Sequence, residues 1–267
     1  MTRGRKPPSD LGTRLTQLDR ILGVHVNTDP VDGLDLIVYH RGPVGSDSHL
    51  AICQILLEHG GRDRTIPGEP RRLRPVTRPA PLDWAYRDLD QMHRLALQVT
   101  NGQHHFEFDP GHVHLLPDFQ PLADLARGGI LADPSGELTL LHRRLQRYPS
   151  RLGDGLVARL WEIRPLLDAA SGAADRGDTT GTAAGLTRAA DLAAHALHGH
   201  AGTWPPHPAQ LLSGAQRLAC TPPSFAGTMQ RVLAQLGTRP GLLRDAVATT
   251  SVLMDGVVVA CRPRRQD

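Results

Sequence analysis

The chain has little of several residue types that carry specialised functions. Its three cysteines, Cys53, Cys220 and Cys261, are far apart and form no CxxC pair, so neither a disulfide framework nor a thiolate zinc site is expected. No apolar run is long enough to cross a bilayer, and none follows the basic start MTRGRKPPSD. We therefore expect a soluble cytoplasmic protein without a secretory signal or membrane association.

Lysine and aromatic residues are also scarce. Lys6 is the single lysine, and the arginines that supply most of the positive charge are interspersed with Asp and Glu, for a formal net charge of +3. A nucleic-acid binder gathers its charge on one face, and 4% aromatic residues are too few for a surface that stacks bases. Nucleic acid is therefore not an expected partner.

The chain reads as two halves with different patterns, after a tail at 1–10 that is predicted to be disordered. Hydrophobic residues make up 40% of the 267 residues, which is enough for one large core or two small ones. In the first half, strand patterns at 34–40 and 82–88 alternate with helical periodicity. Strand patterns then vanish and helical ones repeat. We predict an α/β domain at 11–130 and an α-helical bundle at 131–267.

Three local features lead to more detailed expectations. The segment VHVNTDPVDG, residues 24–33, is rich in turn-forming residues and predicts a connection between elements. Residues 152–176 have the periodicity of one helix, which Pro165 should bend. Arg87 and Asp88 follow one another at the end of the second predicted strand, and we expect them to form a surface ion pair.

Two aspartates mark the starts of the two predicted strands, Asp35 in GLDL and Asp83 in LDW. Acidic residues at the same end of neighbouring strands can form a divalent-metal site, because Mg²⁺ prefers carboxylate oxygens and completes its shell with phosphates. The alternative for each aspartate is a helix cap or a solvated turn residue. The pattern therefore makes a metal site one of the functions to be considered.

Several segments resemble, in order, motifs of nucleotidyltransferase-fold proteins, the family of aminoglycoside-type adenylyltransferases. DGLDLIVYHRGP and PLDWAYRDLDQM resemble the segments that carry its metal-binding carboxylates, and LWEIRPLLDAASGAADRGD and AHALHGHAGTW resemble its helical domain. The resemblance implies a small mixed sheet of nucleotidyltransferase topology followed by a C-terminal helical bundle. It also implies Mg²⁺-dependent transfer of a nucleoside monophosphate, from ATP or another nucleoside triphosphate, to a hydroxyl of a small-molecule acceptor.

The resemblance further implies roles for individual residues. Asp35 and Asp83 would hold the metal and take part in catalysis. Glu162 is our own candidate for a general base, because it is the carboxylate of the helical half that could reach the cleft and such a base should lie across from the metal; the alternative is a helix-surface glutamate paired with a nearby arginine. His195 and His198 would face the nucleotide in the cleft between the domains. A histidine metal site is not expected, because His195, His198 and His200 do not share one helical face.

The chain departs from the family pattern at the positions that would bind metal and phosphate. The first metal aspartate should lie two residues before Asp35, where this chain has Gly33, so Asp32 or Asp29 would have to act as the further metal ligand. The phosphate-binding Gly-Ser turn is missing upstream, and the stretch after HAGTW, residues 205–208, has no lysine. The alternative is therefore a pseudoenzyme that retains the fold and binds a ligand or partner. The sequence leaves the acceptor and the oligomeric state open.

Overall fold

The computed structural model describes residues 10–29, 33–58, 63–64, 72–73, 82–107 and 114–262. The chain divides into two compact units, Met1–Leu97 with Pro121–Arg147, and Gln98–Gln120 with Tyr148–Asp267. The sequence predicted a division near residue 130. Residues 131–147 instead belong to the first unit and 98–120 to the second. Most of the predicted tail, residues 1–9, lies outside the described residues.

The elements are numbered in chain order. The strands are β1 (Ile21–Asp29), β2 (Gly33–His40), β3 (Asp63–Arg64), β4 (Arg72–Leu73), β5 (Leu82–Asp88), β6 (Phe106–Glu107), β7 (Leu116–Pro117) and β8 (Gly129–Ala132). The helices are α1 (Leu11–Thr16), α2 (Ser46–Glu58), α3 (Leu89–Thr100), α4 (Gln120–Arg127), α5 (Glu137–Leu145), α6 (Ser150–Ala158), α7 (Ile163–Asp175), α8 (Thr179–His200), α9 (Leu211–Gln216), α10 (Phe225–Ala234) and α11 (Pro240–Ala260).

A four-stranded sheet in the order β5-β2-β1-β8 forms the centre of the first unit. Strands β2 and β5 are parallel, whereas β1 is antiparallel to both β2 and β8. The parallel pair is possible because α2 and the residues after it provide a long crossover between β2 and β5. The predicted small mixed sheet, followed in the chain by a region of helices, is confirmed.

Alternation along the central strands places an apolar core on one face of this sheet. Leu36 and Val38 of β2 lie on the same face as Val24 and Val26 of β1, since side chains of a strand alternate between faces. This face packs against α1 and α2. The helices contribute the buried side chains of Leu11, Leu15, Ile52 and Leu56.

The connection predicted at 24–33 is wrong for residues 24–29, because β1 continues as far as Asp29; residues 30–32 lie outside the described residues. The apolar alternation of Val24 and Val26 favours a strand here, and ladder pairing to β2 extends it through Asn27 and beyond. The strand β8 also lies in a stretch that has little strand character in the sequence. Pairing with β2 thus outweighed the turn-forming composition of residues 27–29, and pairing with β1 supports β8.

The second unit is built around α8, whose apolar residues are buried on nearly all sides. The helices α6, α7 and α11 contact it, and Asp178 caps its start by accepting a hydrogen bond from the Gly181 amide at 2.9 Å.

The predicted long helix at 152–176 is interrupted by a 3₁₀ turn at Arg159–Glu162. Pro165 lies in the first turn of α7, where the missing N–H costs no intrahelical bond. None of the described helices is long and apolar enough to span a membrane.

Two glycines allow α6 and α8 to approach closely. A Cβ atom on Gly153 would lie 2.5 Å from the carbonyl oxygen of Gly199, and one on Gly199 would lie 3.1 Å from the carbonyl oxygen of Gly153. Both neighbours are backbone atoms of packed helices. An added methyl group can therefore be accommodated only by moving the helices apart.

We expect Gly153→Ala to lower the free energy of unfolding by about 1–3 kcal/mol, the usual cost of overpacking. Gly172 of α7 is the matched control, because the nearest group to a Cβ there is the flexible Arg176 guanidinium at 3.5 Å. Gly172→Ala should raise the free energy of unfolding by about 0.5–1 kcal/mol. Urea denaturation of both variants tests this, and equal effects would contradict the close approach of α6 and α8.

Candidate active site

The two predicted metal-binding aspartates occupy directly paired positions on neighbouring strands. Asp35 of β2 is the register partner of Asp83 of β5 in the parallel ladder. Neighbouring strands lie about 4.8 Å apart, and paired positions belong to the same face of a sheet. Both positions are near the first residue of their strand, so they lie at the same end of the sheet. Asp32, the further metal ligand predicted from the sequence, lies outside the described residues.

The antiparallel neighbour β1 adds an acidic position to the same face. Asn27 is paired with Asp35, and Asp29 is paired with Gly33. Since alternate residues of a strand share a face, positions 27, 29, 33 and 35 all belong to one face. Position 33, where the resemblance found in the sequence led us to expect a carboxylate, is a glycine, and its register partner on β1 is Asp29.

A partly buried ion pair lies farther along this face of the sheet. Arg87 of β5, the register partner of Tyr39, donates from Nη2 to the Asp124 carboxylate of α4 at 2.7 Å and from Nη1 to the Pro121 carbonyl at 3.0 Å. Burial disfavours the charge of Arg87, but Asp124 and Tyr39 outweigh that effect and raise the pKa of the guanidinium. The pair ties β5, the strand that carries Asp83, to α4.

In the second unit, Glu162 is held by an arginine three residues earlier. Arg159 donates to its carboxylate from Nε at 2.6 Å and from Nη2 at 3.0 Å, and the same guanidinium lies 4.5 Å from the centre of the Phe106 ring. This ion pair is the alternative that the sequence left open for Glu162. Its role as a general base stays a prediction.

The two histidines predicted to contact a nucleotide are buried on α8, with His195 2% and His198 4% exposed. His198 Nδ1 lies 3.0 Å from the Thr203 hydroxyl. The His195 ring packs against Phe106, with 4.9 Å between the ring centres. Contact of either histidine with a nucleotide stays a prediction.

Two residues of α8 form hydrogen bonds with the segment that begins at His114. The sequence did not predict this arrangement. The buried carboxylate of Asp191 accepts from the Leu115 amide at 3.1 Å and lies 2.9 Å from His114 Nδ1. One turn later, His195 Nε2 lies 3.3 Å from the Leu115 carbonyl oxygen. In the neutral tautomer that carries its hydrogen on Nε2, His195 would donate a hydrogen bond to this oxygen. The i, i+4 spacing of Asp191 and His195 indicates that the two residues share a helix face. Nothing in the sequence indicates that residues 114–115 are what that face contacts.

Two buried histidines should make the folded protein sensitive to acid. Burial lowers the pKa of His195 from 6.5 to about 4, and burial together with the charge of Arg87 lowers that of His25 from 6.5 to about 3. Between these values and pH 6.5 the unfolded chain binds more protons than the folded chain. The free energy of unfolding therefore falls as the pH falls through this window, by up to about 1.4 kcal/mol per pH unit for each histidine.

We expect the melting temperature to drop from pH 6.5 to pH 4, and His195→Gln to reduce that slope. Glutamine can still donate to the Leu115 carbonyl but does not titrate. His114 acts in the opposite direction, because its hydrogen bond with Asp191 raises its pKa and adds stability at low pH. Calorimetry across this pH range is the measurement, and an unchanged slope in the variant would contradict a neutral buried His195.

The paired aspartates suit one hard divalent cation. Mg²⁺ in proteins is typically held by one or two carboxylates, with water and substrate phosphates completing its octahedral shell. Two carboxylate-bearing positions at one end of one sheet face satisfy that requirement for one ion. Among the residues whose side chains are described, which exclude Asp35 and Asp83, no three His, Cys, Asp or Glu side chains form a metal cluster.

Comparison with known proteins finds likeness to solved structures but not to families or curated sequences. No protein-family model and no curated protein matches the chain. A crystal structure of a nucleotidyltransferase-like protein from Exiguobacterium sibiricum is similar over 93% of this chain and 73% of its own, with 11% sequence identity and a TM-score of 0.47. A likeness of this degree assigns no function to the chain.

Proposed function

We propose that the protein binds a nucleoside triphosphate with one divalent cation at Asp35 and Asp83, and transfers the nucleoside monophosphate to a hydroxyl group of a small molecule. The observation that supports this is the direct pairing of Asp35 with Asp83 in the parallel ladder. That pairing brings two carboxylate-bearing residues, distant in the chain, to one end of one sheet face.

The reaction is a substitution at the α-phosphorus of the triphosphate. The acceptor hydroxyl gives up its proton to solvent as its oxygen forms a new bond to this phosphorus, the bond to the bridging oxygen breaks, and pyrophosphate leaves with that electron pair. Asp35 and Asp83 would hold the cation and so position the triphosphate, and position 29, the register partner of position 33, belongs to the same face. When bound, the cation neutralises phosphate charge and lowers the pKa of the attacking hydroxyl. Catalysis would then rest mainly on positioning and charge neutralisation.

A second candidate function is binding without catalysis. Gly33 provides no carboxylate where the family pattern has its first metal ligand, and residues 205–208 provide no lysine for the phosphates. A site with a single cation could still hold a nucleotide. The protein would then act as a ligand- or partner-binding protein of the same fold.

The two functions are separated by an activity assay. The full chain is incubated with radiolabelled ATP, Mg²⁺ and a panel of aminoglycosides and amino alcohols. Formation of a nucleotidylated product that Asp83→Asn abolishes supports the transferase. Calorimetric binding of Mg·ATP with no product in any reaction supports the binding protein, and absence of both product and binding contradicts both proposals.

Restoring the missing carboxylate should strengthen the site. Position 33 lies on the Asp35 face of β2, so Gly33→Asp adds an acidic residue to that face, where the family pattern has one. We expect this variant to bind Mn²⁺ more tightly and to raise the rate of transfer by about tenfold or more, equivalent to at least about 1.4 kcal/mol of transition-state stabilisation. Titration with Mn²⁺ and the transfer assay check this. Weaker Mn²⁺ binding in the variant would contradict the placement of the cation on this face.

A further inference from the structure

A thiol and an imidazole lie together on α2, on the side of the sheet opposite to the Asp35 face. His49 and Cys53 are four residues apart and therefore share a helix face. The Cys53 Sγ lies 3.5 Å from His49 Nε2, within the range of a hydrogen bond to sulfur. Both side chains are half-buried, so a small reagent can reach them.

A third residue orients the imidazole. The hydroxyl oxygen of Tyr86, on β5, lies 2.9 Å from His49 Nδ1, and the two rings lie 5.9 Å apart. When Nδ1 carries the proton and donates it to the Tyr86 oxygen, Nε2 is left as the acceptor that faces Cys53. A nucleophile, a base and a group that orients the base are the arrangement by which proteins activate a side-chain nucleophile.

The other two cysteines lack this arrangement. Cys261 is 2% exposed, and burial raises the pKa of its thiol to about 12. The Cys220 thiol donates to the Leu197 carbonyl oxygen at 3.9 Å, an acceptor that cannot take the proton. Cys220 and Cys261 therefore serve as internal controls for the reactivity of Cys53.

We propose that Cys53 is a modification site, a His49-activated thiol that forms mixed disulfides with low-molecular-weight disulfides. The thiol proton moves to His49 Nε2, and the Cys53 thiolate attacks one sulfur of the disulfide. A new sulfur–sulfur bond forms and the original one breaks. The released thiolate takes the electron pair and then the proton from His49. The proposal is independent of nucleotidyl transfer, because none of its residues belongs to the Asp35 face.

Modification of Cys53 should also disturb the packing of the apolar core of the first unit. Cys53 and Tyr86 both pack against the apolar cluster between the sheet and α1 and α2. A bulky group on Cys53 therefore lies at the border of that cluster. We expect the mixed disulfide to melt at a lower temperature than the unmodified protein and to return to the original value after reduction.

The test follows the reaction of the full chain with 5,5′-dithiobis(2-nitrobenzoate) by absorbance. One thiol should react at least about tenfold faster than the others, Cys53→Ser should remove this fast phase, and Cys220→Ser should leave it. His49→Gln should slow the fast phase by about tenfold or more, and Tyr86→Phe by less. A fast phase that survives in Cys53→Ser, or an unchanged rate in a folded His49→Gln variant, would overturn the proposal.

A second measurement needs no substitution. The unmodified protein is alkylated with iodoacetamide at several pH values, and the labelled peptides are quantified by mass spectrometry. Labelling of Cys53 should persist below pH 7, and its dependence on pH should differ from that of Cys220. Parallel pH profiles for the two cysteines would overturn the role assigned to His49.

Discussion

Replacing Asp83 with asparagine is expected to reduce nucleotidyl transfer by about 10²- to 10⁴-fold. The substitution keeps the size of the side chain but removes one of the two carboxylates that the register places together. Loss of a carboxylate beside a dication costs several kcal/mol at the effective dielectric of a protein surface. A loss of about 3–5 kcal/mol in transition-state stabilisation corresponds to this range of rates.

Asp19→Asn is the matched control for this prediction. Asp19 is also in the first unit, its side chain is 83% exposed, and its contact with Arg20 spans 3.5 Å. An exposed pair of this kind contributes little to stability, so the control should retain full transfer activity. Equal activity of Asp83→Asn and Asp19→Asn, in a protein that does catalyse transfer, would remove Asp83 from the site.

The second large effect is expected from the ion pair between β5 and α4. Arg87 and Asp124 have side chains that are 19% and 12% exposed, so neither is well solvated. Asp124→Ala leaves the Arg87 charge without its carboxylate partner, which should lower the free energy of unfolding by about 3 kcal/mol. Urea denaturation followed by circular dichroism measures this loss.

The double variant Arg87→Met with Asp124→Leu distinguishes an uncompensated charge from lost packing. Replacement of both partners by apolar side chains of similar volume often costs little, so the double variant should be more stable than Asp124→Ala alone. Arg41, whose side chain is 44% exposed and paired with Asp90 and Glu137, provides a surface control. A loss on Arg41→Met as large as that of Asp124→Ala would contradict the importance of burial.

Sequence patterns predicted those parts of the fold where local and long-range preferences agree. The strands at 34–40 and 82–88 have strong β-propensity and were found at β2 and β5. The turn-rich residues 24–29 were found in a strand, since the backbone partners that β2 offers outweigh local preference. The assignment of residues 98–120 and 131–147 to units depends on packing between distant segments, which no local pattern encodes.

The candidate site, like the fold, could be predicted from the sequence only in part. Asp35 and Asp83 could be selected from the sequence because each starts a strand, but only the parallel register shows that they are partners. The predicted surface pair of Arg87 with Asp88 is wrong. Successive residues of a strand point to opposite faces, and Arg87 pairs with Asp124 while Asp88 accepts from the Gln91 and Gly42 amides.

The most direct test of the account is the binding of Mn²⁺, a spectroscopic substitute for Mg²⁺, measured by electron paramagnetic resonance in the presence of ATP. We predict one bound ion per unmodified chain, loss of tight binding in both Asp35→Asn and Asp83→Asn, and no further loss when the two substitutions are combined. The last result is expected because both carboxylates serve one cation. Unchanged Mn²⁺ binding in either single variant would show that these two aspartates do not form a shared site.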